Sequence, residues 1–162
     1  MAAKAAVITG LVLAAGTVTV LASLLAGQRI LPGNGVGPDH DLPALSPADG
    51  PVLRAAIGSV LYLALIALLS LGVATALRDS ATAIGTVLGL LYLFPIPAAV
   101  VTDPDWHRHL QQIRPMTAGL AIQATTGPHD LPIGPWAGLG VLAAWASAAL
   151  LAGLLSLRLR DA

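Results

Sequence analysis

Residues 55–77 read AAIGSVLYLALIALLSLGVATAL and contain no charged residue, no proline and no side-chain amide. As an α-helix rising about 1.5 Å per residue, this stretch would be about 34 Å long, enough to cross a hydrocarbon core of about 30 Å. Arg54 precedes it, and Arg78 and Asp79 follow it. Because a charge at the bilayer centre costs about 3 kcal/mol or more, charges at both ends and none between them predict a transmembrane helix.

The composition of the whole chain indicates the same class of protein. Of the 162 residues, 56% are hydrophobic and 10% are charged, against about 25% charged in soluble domains. The formal net charge is zero, so charge gives no reason to expect a nucleic acid partner. The chain has no cysteine, which excludes disulfides and thiolate metal sites.

Three further apolar stretches resemble the first, and together they predict an all-α integral membrane protein. The four predicted transmembrane helices cover residues 5–26, 55–77, 81–101 and 136–157. The polar segments between them, 27–54 and 102–135, are predicted to be loops, and the lipid bilayer is the predicted surroundings of this single transmembrane domain. The alternative for residues 5–26 is a cleaved signal peptide, but the run is about twice the usual 7–15 residues.

Small residues and prolines give the predicted spans their candidate packing and bending positions. Gly85 and Gly89 form a GxxxG spacing, and Ala149 and Gly153 repeat the small-xxx-small pattern, so both pairs are candidate helix-packing faces. The two candidate kink positions are Pro95 and Pro97, because each removes an intrahelical hydrogen bond. A hinge or a pore-lining break is the alternative interpretation of these prolines.

The polar segment 102–135 is predicted to contain two short extracytoplasmic helices at the membrane interface. The first starts at Asp103-Pro104-Asp105, and Trp106 is its candidate interfacial anchor. The second starts at Pro115, and a second candidate anchor, Trp136, begins the last span.

Neither the spans nor the loops present a constellation suited to chemistry. His107 and His109 are two positions apart, so on a helix they point to different sides and cannot chelate one ion. No nucleophile lies in a pattern with a base, and we therefore predict no enzymatic activity, no catalytic residue, no metal site and no cofactor. No Asp, Glu, Lys, Arg or His lies inside the predicted spans, whereas ion-coupled carriers usually need such a residue at membrane depth. If the protein moves a solute, a partner is expected to supply the energy.

The basic residues indicate an orientation in the cell membrane. Four predicted spans place both termini on one side, where Lys4, Arg78, Arg158 and Arg160 lie in short segments close to the span ends. The other side also has four basic residues, but they are spread over the two long loops together with six Asp. The density of positive charge predicts cytoplasmic termini.

Several of these strings resemble one known family. The run LRDSATAIGTVLGLLYLFPIP, the two short polar helices and the run PWAGLGVLAAWASAALLAGLLSLRLRDA are similar to the C-terminal part of ABC transporter permeases of the type-2 exporter class, actinobacterial members above all. The opening, AAKAAVITGLVLAAGTVTVLASLLAGQ, is similar to the third span of that family. The resemblance implies short extracytoplasmic helices between the last two spans, a position that residues 104–126 match.

The resemblance also implies partners and a mechanism. A separate ABC ATPase subunit would supply the energy, since this chain has no GxxxxGK[ST] phosphate loop, and a second permease chain would complete the transporter. The candidate cytoplasmic contact is Arg78 with Asp79, for which a solvated turn is the alternative. The family's first two spans have no counterpart here, so we expect a truncated permease or a variant completed by another chain. A small membrane protein that does not transport, an assembly partner or an immunity-type protein, is the alternative function.

Overall fold

A computed structural model describes residues 2–30, 50–77, 79–93, 115–125 and 133–159, and every element in these ranges is helical. The elements are α1 (Ala2–Ile30), α2 (Gly50–Leu77), α3 (Ser80–Leu88) with a π-helical continuation (Gly89–Leu93), α4 (Pro115–Leu120) with a 3₁₀ continuation (Ala121–Gln123), and α5 (Pro135–Arg158). The predicted all-α fold is confirmed.

Three of these helices, α1, α2 and α5, are long and apolar enough to cross a membrane. The chain is therefore a multi-pass integral membrane protein. The described part of the third predicted span is shorter: α3 and its π-helical continuation rise only about 20 Å. The rest of that span, residues 94–101, lies outside the described residues, and so do Pro95 and Pro97 with their predicted kink.

The helices that flank the first polar segment are longer than predicted. Residues 27–30 continue α1 and residues 50–54 begin α2, although both ranges were predicted to belong to the loop 27–54. Proline is compatible with the first turn of a helix, where its missing N–H needs no intrahelical partner, so Pro51 does not prevent α2 from starting at Gly50. As a consequence, Arg54 lies within α2 rather than in front of it.

The helices pack in a simple order around α2. Its most extensive contact is with α5, and α1 and α3 pack against other parts of it. The fully buried side chains include Leu69 of α2, Leu142 of α5 and Ile122 of the 3₁₀ continuation. Much of the surface of α1 and α5 is apolar and exposed, as expected where lipid rather than water surrounds the protein.

A close approach joins α2 and α5 near the end of α2 that leads into α3. A Cβ atom added to Gly72 would lie 2.6 Å from the backbone nitrogen of Leu150 and 2.8 Å from the Cβ of Ala149. One turn further on, the Ser156 hydroxyl donates a hydrogen bond to the Ala76 carbonyl at 3.3 Å. Small residues allow backbones to approach in this way, which strengthens van der Waals packing between membrane helices.

Asp79 caps the first turn of α3. One of its carboxylate oxygens accepts hydrogen bonds of 2.6 Å from both the backbone N–H and the hydroxyl of Thr82. These hydrogen bonds lower the pKa of Asp79 below its ordinary value of 3.8. The charged carboxylate therefore stabilises the start of α3.

Replacement of Asp79 by alanine is expected to fray the start of α3, since the N–H of Thr82 then loses its acceptor. Because the folded pKa is lowered, this stabilisation is present above about pH 3.8 and is lost as the pH falls through the folded pKa. Hydrogen exchange of residues 80–84 measures the effect, and Asp79→Asn, which still caps but does not titrate, is the matched control. Equal protection in the wild type and Asp79→Ala at neutral pH would contradict the capping role.

Candidate functional site: a short helix between two membrane spans

Residues 115–123, which we call the wedge, form the most tightly built feature of the described chain. The wedge consists of α4 and its 3₁₀ continuation, and it lies between α2 and α5. Pro115 occupies its first position, where proline fits a helix start, and is itself fully buried. Ala118, Ala121 and Ile122 are buried as well, so this short element is held by packing rather than by its own length.

Three glycines allow the wedge to lie this close to both long helices. A Cβ on Gly58 of α2 would collide with the side chain of Ile122. On Gly138 of α5 it would collide with the backbone carbonyl of Ala118, whose carbon atom would be 2.8 Å away. Within the wedge, a Cβ on Gly119 would lie 2.7 Å from the Tyr62 ring. Each contact thus requires a residue without a side chain.

Arg54 fixes the far end of the wedge. Its Nη2 donates a 2.7 Å hydrogen bond to the carbonyl of Ala124, the residue that follows the 3₁₀ turn. A cation at this position also suits the negative end of a helix. The Nε atom of Arg54 is buried and has no hydrogen-bond partner. Arg54 therefore joins α2 to the end of the wedge through one part of its guanidinium, while another donor is left unsatisfied.

The wedge and the close approach at Gly72 lie at different levels of α2. Gly58 and Tyr62 lie about 12 Å and 18 Å from the start of α2, whereas Gly72 lies about 33 Å from it. Two long helices therefore touch directly at one level and are separated by a short helix at the other. The wedge can therefore fill a cleft between α2 and α5. Its described residues present no reactive group.

The predicted site residues are placed as follows. Ala149 lies against Gly72 at the α2–α5 approach, and Gly153 is buried one turn further along α5. A Cβ on Gly85 or Gly89 would meet nothing within 4 Å, so neither packs closely against another described helix.

Trp136 is exposed in the first turn of α5. Asp79 caps α3, whereas Arg78, Pro95, Pro97 and Trp106 lie outside the described residues.

Sequence reasoning missed the residues that hold the wedge. Arg54 was interpreted only as the charge that flanks a span, and Gly58, Gly119 and Gly138 were not selected among the 17 glycines of the chain. The available signal was a glycine in each of two apolar spans next to a segment with short-helix character. That signal does not say which glycines face the short helix.

No known protein family, curated protein or solved structure matches this chain significantly. The membrane class therefore rests on the helices of the chain itself. The similarity to exporter permeases stays a prediction.

Replacement of Arg54 by methionine is expected to loosen the wedge, because the Ala124 carbonyl loses its charged donor. Hydrogen bonds to charged groups contribute about 1.5–3 kcal/mol, and removal of the buried unsatisfied Nε offsets part of this value. We therefore expect a loss at or below the low end of that range and faster hydrogen exchange over residues 115–125. The matched control is Arg29→Met, which removes an exposed arginine at the neighbouring end of α1. Unchanged exchange in Arg54→Met would show that packing alone holds the wedge.

Proposed function

We propose that this chain is the membrane-spanning permease subunit of an ABC-type export system, powered by a separate ATPase subunit. The observation that supports this proposal most is the wedge. It belongs to the segment between the last two predicted spans, where the resemblance to exporter permeases places short extracytoplasmic helices. In this proposal the wedge fills the cleft between α2 and α5 on the extracytoplasmic side, and ATP hydrolysis by the partner changes the packing of these helices.

The absence of internal charge in the described spans favours an external energy source. Their acidic, basic and histidine residues are Lys4, Arg29, Arg54 and Arg158, each within five residues of a helix end. A carrier driven by protons or sodium usually has such a group near the bilayer centre. A permease driven by an ATPase needs none, because the partner supplies the work.

The proposed orientation places both termini and the α2–α3 turn in the cytoplasm of the cell, and the wedge outside. The chain contains no cysteine, so single cysteines can be introduced without background labelling. Ser80→Cys is expected to react with a membrane-impermeant maleimide only after the cells are opened, and Gly37→Cys in intact cells. The reverse pattern would overturn the orientation.

Gentle purification tests the proposed partnership. The tagged full chain, extracted from its own host in a mild detergent, is expected to bring down an ATPase that carries a GxxxxGK[ST] loop, together with ATP hydrolysis. Arg78→Glu is expected to reduce this recovery at least tenfold, because it reverses a charge in the candidate cytoplasmic contact. Lys4→Glu reverses a charge on the same predicted side but outside that contact. Recovery of the ATPase with this variant is expected to equal that with the wild type.

The opposite result would favour the alternative function. If the folded wild-type chain brings down no such ATPase under conditions that preserve other ABC complexes of the same membrane, the permease proposal fails. The chain would then be better described as a membrane protein that does not transport, such as an assembly partner or an immunity-type protein.

A further inference from the structure

A groove between α1 and α2 remains outside the site described above. Its volume is about 410 Å³, within the range of about 300–1,000 Å³ that small-molecule sites occupy. The residues that line it are Leu13, Thr17, Val20, Leu21 and Leu24 of α1 and Leu53, Ala56, Ile57, Val60 and Leu61 of α2. None of its lining residues is among those that hold the wedge.

The lining suits a hydrocarbon chain and nothing polar. Thr17 is its only residue with a polar side chain, and its hydroxyl already donates a 2.6 Å hydrogen bond to the carbonyl of Leu13. A polar ligand would lose hydrogen bonds to water and find no partner here. Leu21 and Ile57 are about half exposed at 54% and 49%, so the groove is open to the surrounding lipid.

The length of the groove matches one leaflet of a bilayer. Gly16 is buried beside Val60, where an added Cβ would be in ordinary van der Waals contact, 3.6 Å from the Val60 side chain. From Leu13 to Leu24 the groove follows α1 for about 16 Å. Half of a hydrocarbon core of about 30 Å is about 15 Å.

Polar residues begin where the groove ends. On α1, Gln28 lies one turn beyond Leu24, on the same side of the helix, and both Gln28 and Arg29 are exposed. The apolar groove thus changes to a polar and cationic rim at the depth where lipid phosphates lie.

We propose that the α1–α2 groove binds one acyl chain of a phospholipid from the leaflet on the side of the α1–α2 connection, with the phosphate at the level of Gln28 and Arg29. The proposal commits to a membrane lipid, because the groove is apolar along the depth of one leaflet and ends at the exposed polar residues Gln28 and Arg29. It is independent of the proposed transport function. The lipid would cover part of the exposed side of α1, because α2 packs against another face of that helix.

Native mass spectrometry of the detergent-purified chain, titrated with phosphatidylglycerol, tests the proposal. One tightly retained lipid per chain is expected. Ala56→Phe, which fills the groove, is expected to weaken this retention at least tenfold. The matched control is Ala144→Phe on the exposed face of α5, in a shallow surface patch with Val141, Trp145 and Ala148. This variant is expected to retain the lipid as tightly as the wild type does.

Photolabelling of the wild-type chain gives a second measurement that needs no variant. A phospholipid with a diazirine halfway along one acyl chain is expected to label Thr17, Val20 and Val60 in preference to Val141 and neighbouring residues of α5. Equal retention in Ala56→Phe and the wild type, or uniform labelling of all lipid-facing helices, would overturn the proposal and leave only ordinary annular lipid.

Discussion

Replacement of Gly138 by alanine is expected to displace the wedge from α5. The added Cβ would collide with the backbone carbonyl of Ala118, and a backbone atom cannot move aside as the tip of a flexible side chain can. Overpacking of a close contact costs about 1–3 kcal/mol, and we expect a value at the upper end. For a chain of this size, 3 kcal/mol lowers the thermal midpoint by about 6–12 °C, which a melting curve in detergent measures.

Gly140→Ala is a closely matched control for this prediction. Gly140 lies on the same helix two residues further on, it is exposed, and a Cβ there would meet nothing within 4 Å. Both substitutions gain about 1 kcal/mol of intrinsic helix propensity, so any difference between them reports the contact with Ala118. A midpoint that is equal in both variants would show that the wedge does not lie against Gly138.

The membrane fold could be predicted because lipid imposes a simple rule on each span separately. Residues 55–77 need only be long, apolar and free of charge to be identified, and no other part of the chain has to be known. The cap at Asp79 was predictable for the same reason, since it depends on residues three positions apart. The end of α1 and the start of α2 were not, because a polar sequence can continue a helix beyond the hydrocarbon core.

The wedge contacts could not be predicted because they join positions that are far apart in sequence. Arg54 and Ala124 are 70 residues apart, and nothing local to either one indicates the hydrogen bond between them. The pair at Ala149 and Gly153 shows the intermediate case. Its small-residue spacing marked a face of α5, but the spacing could not show that Gly72 would be the neighbour of Ala149.

Replacement of Gly72 by alanine is expected to force α2 and α5 apart at their direct contact. The new Cβ would lie 2.6 Å from the backbone nitrogen of Leu150, so one of the two helices must shift. We expect a loss of about 1–3 kcal/mol in the free energy of unfolding. Gly85→Ala is the control in α3, since a Cβ there meets nothing within 4 Å and only the gain of about 1 kcal/mol in helix propensity is expected.

A double-mutant cycle with Ser156→Ala distinguishes helix separation from a purely local clash. Ser156 donates its hydrogen bond to the carbonyl of Ala76, one turn from Gly72, and this bond survives only while the two helices stay close. If Gly72→Ala parts the helices, Ser156→Ala will cost about 1 kcal/mol in the wild type and nearly nothing in the Gly72→Ala background. Additive losses would mean that α2 and α5 keep their spacing and that the strain is absorbed at Ala149 alone.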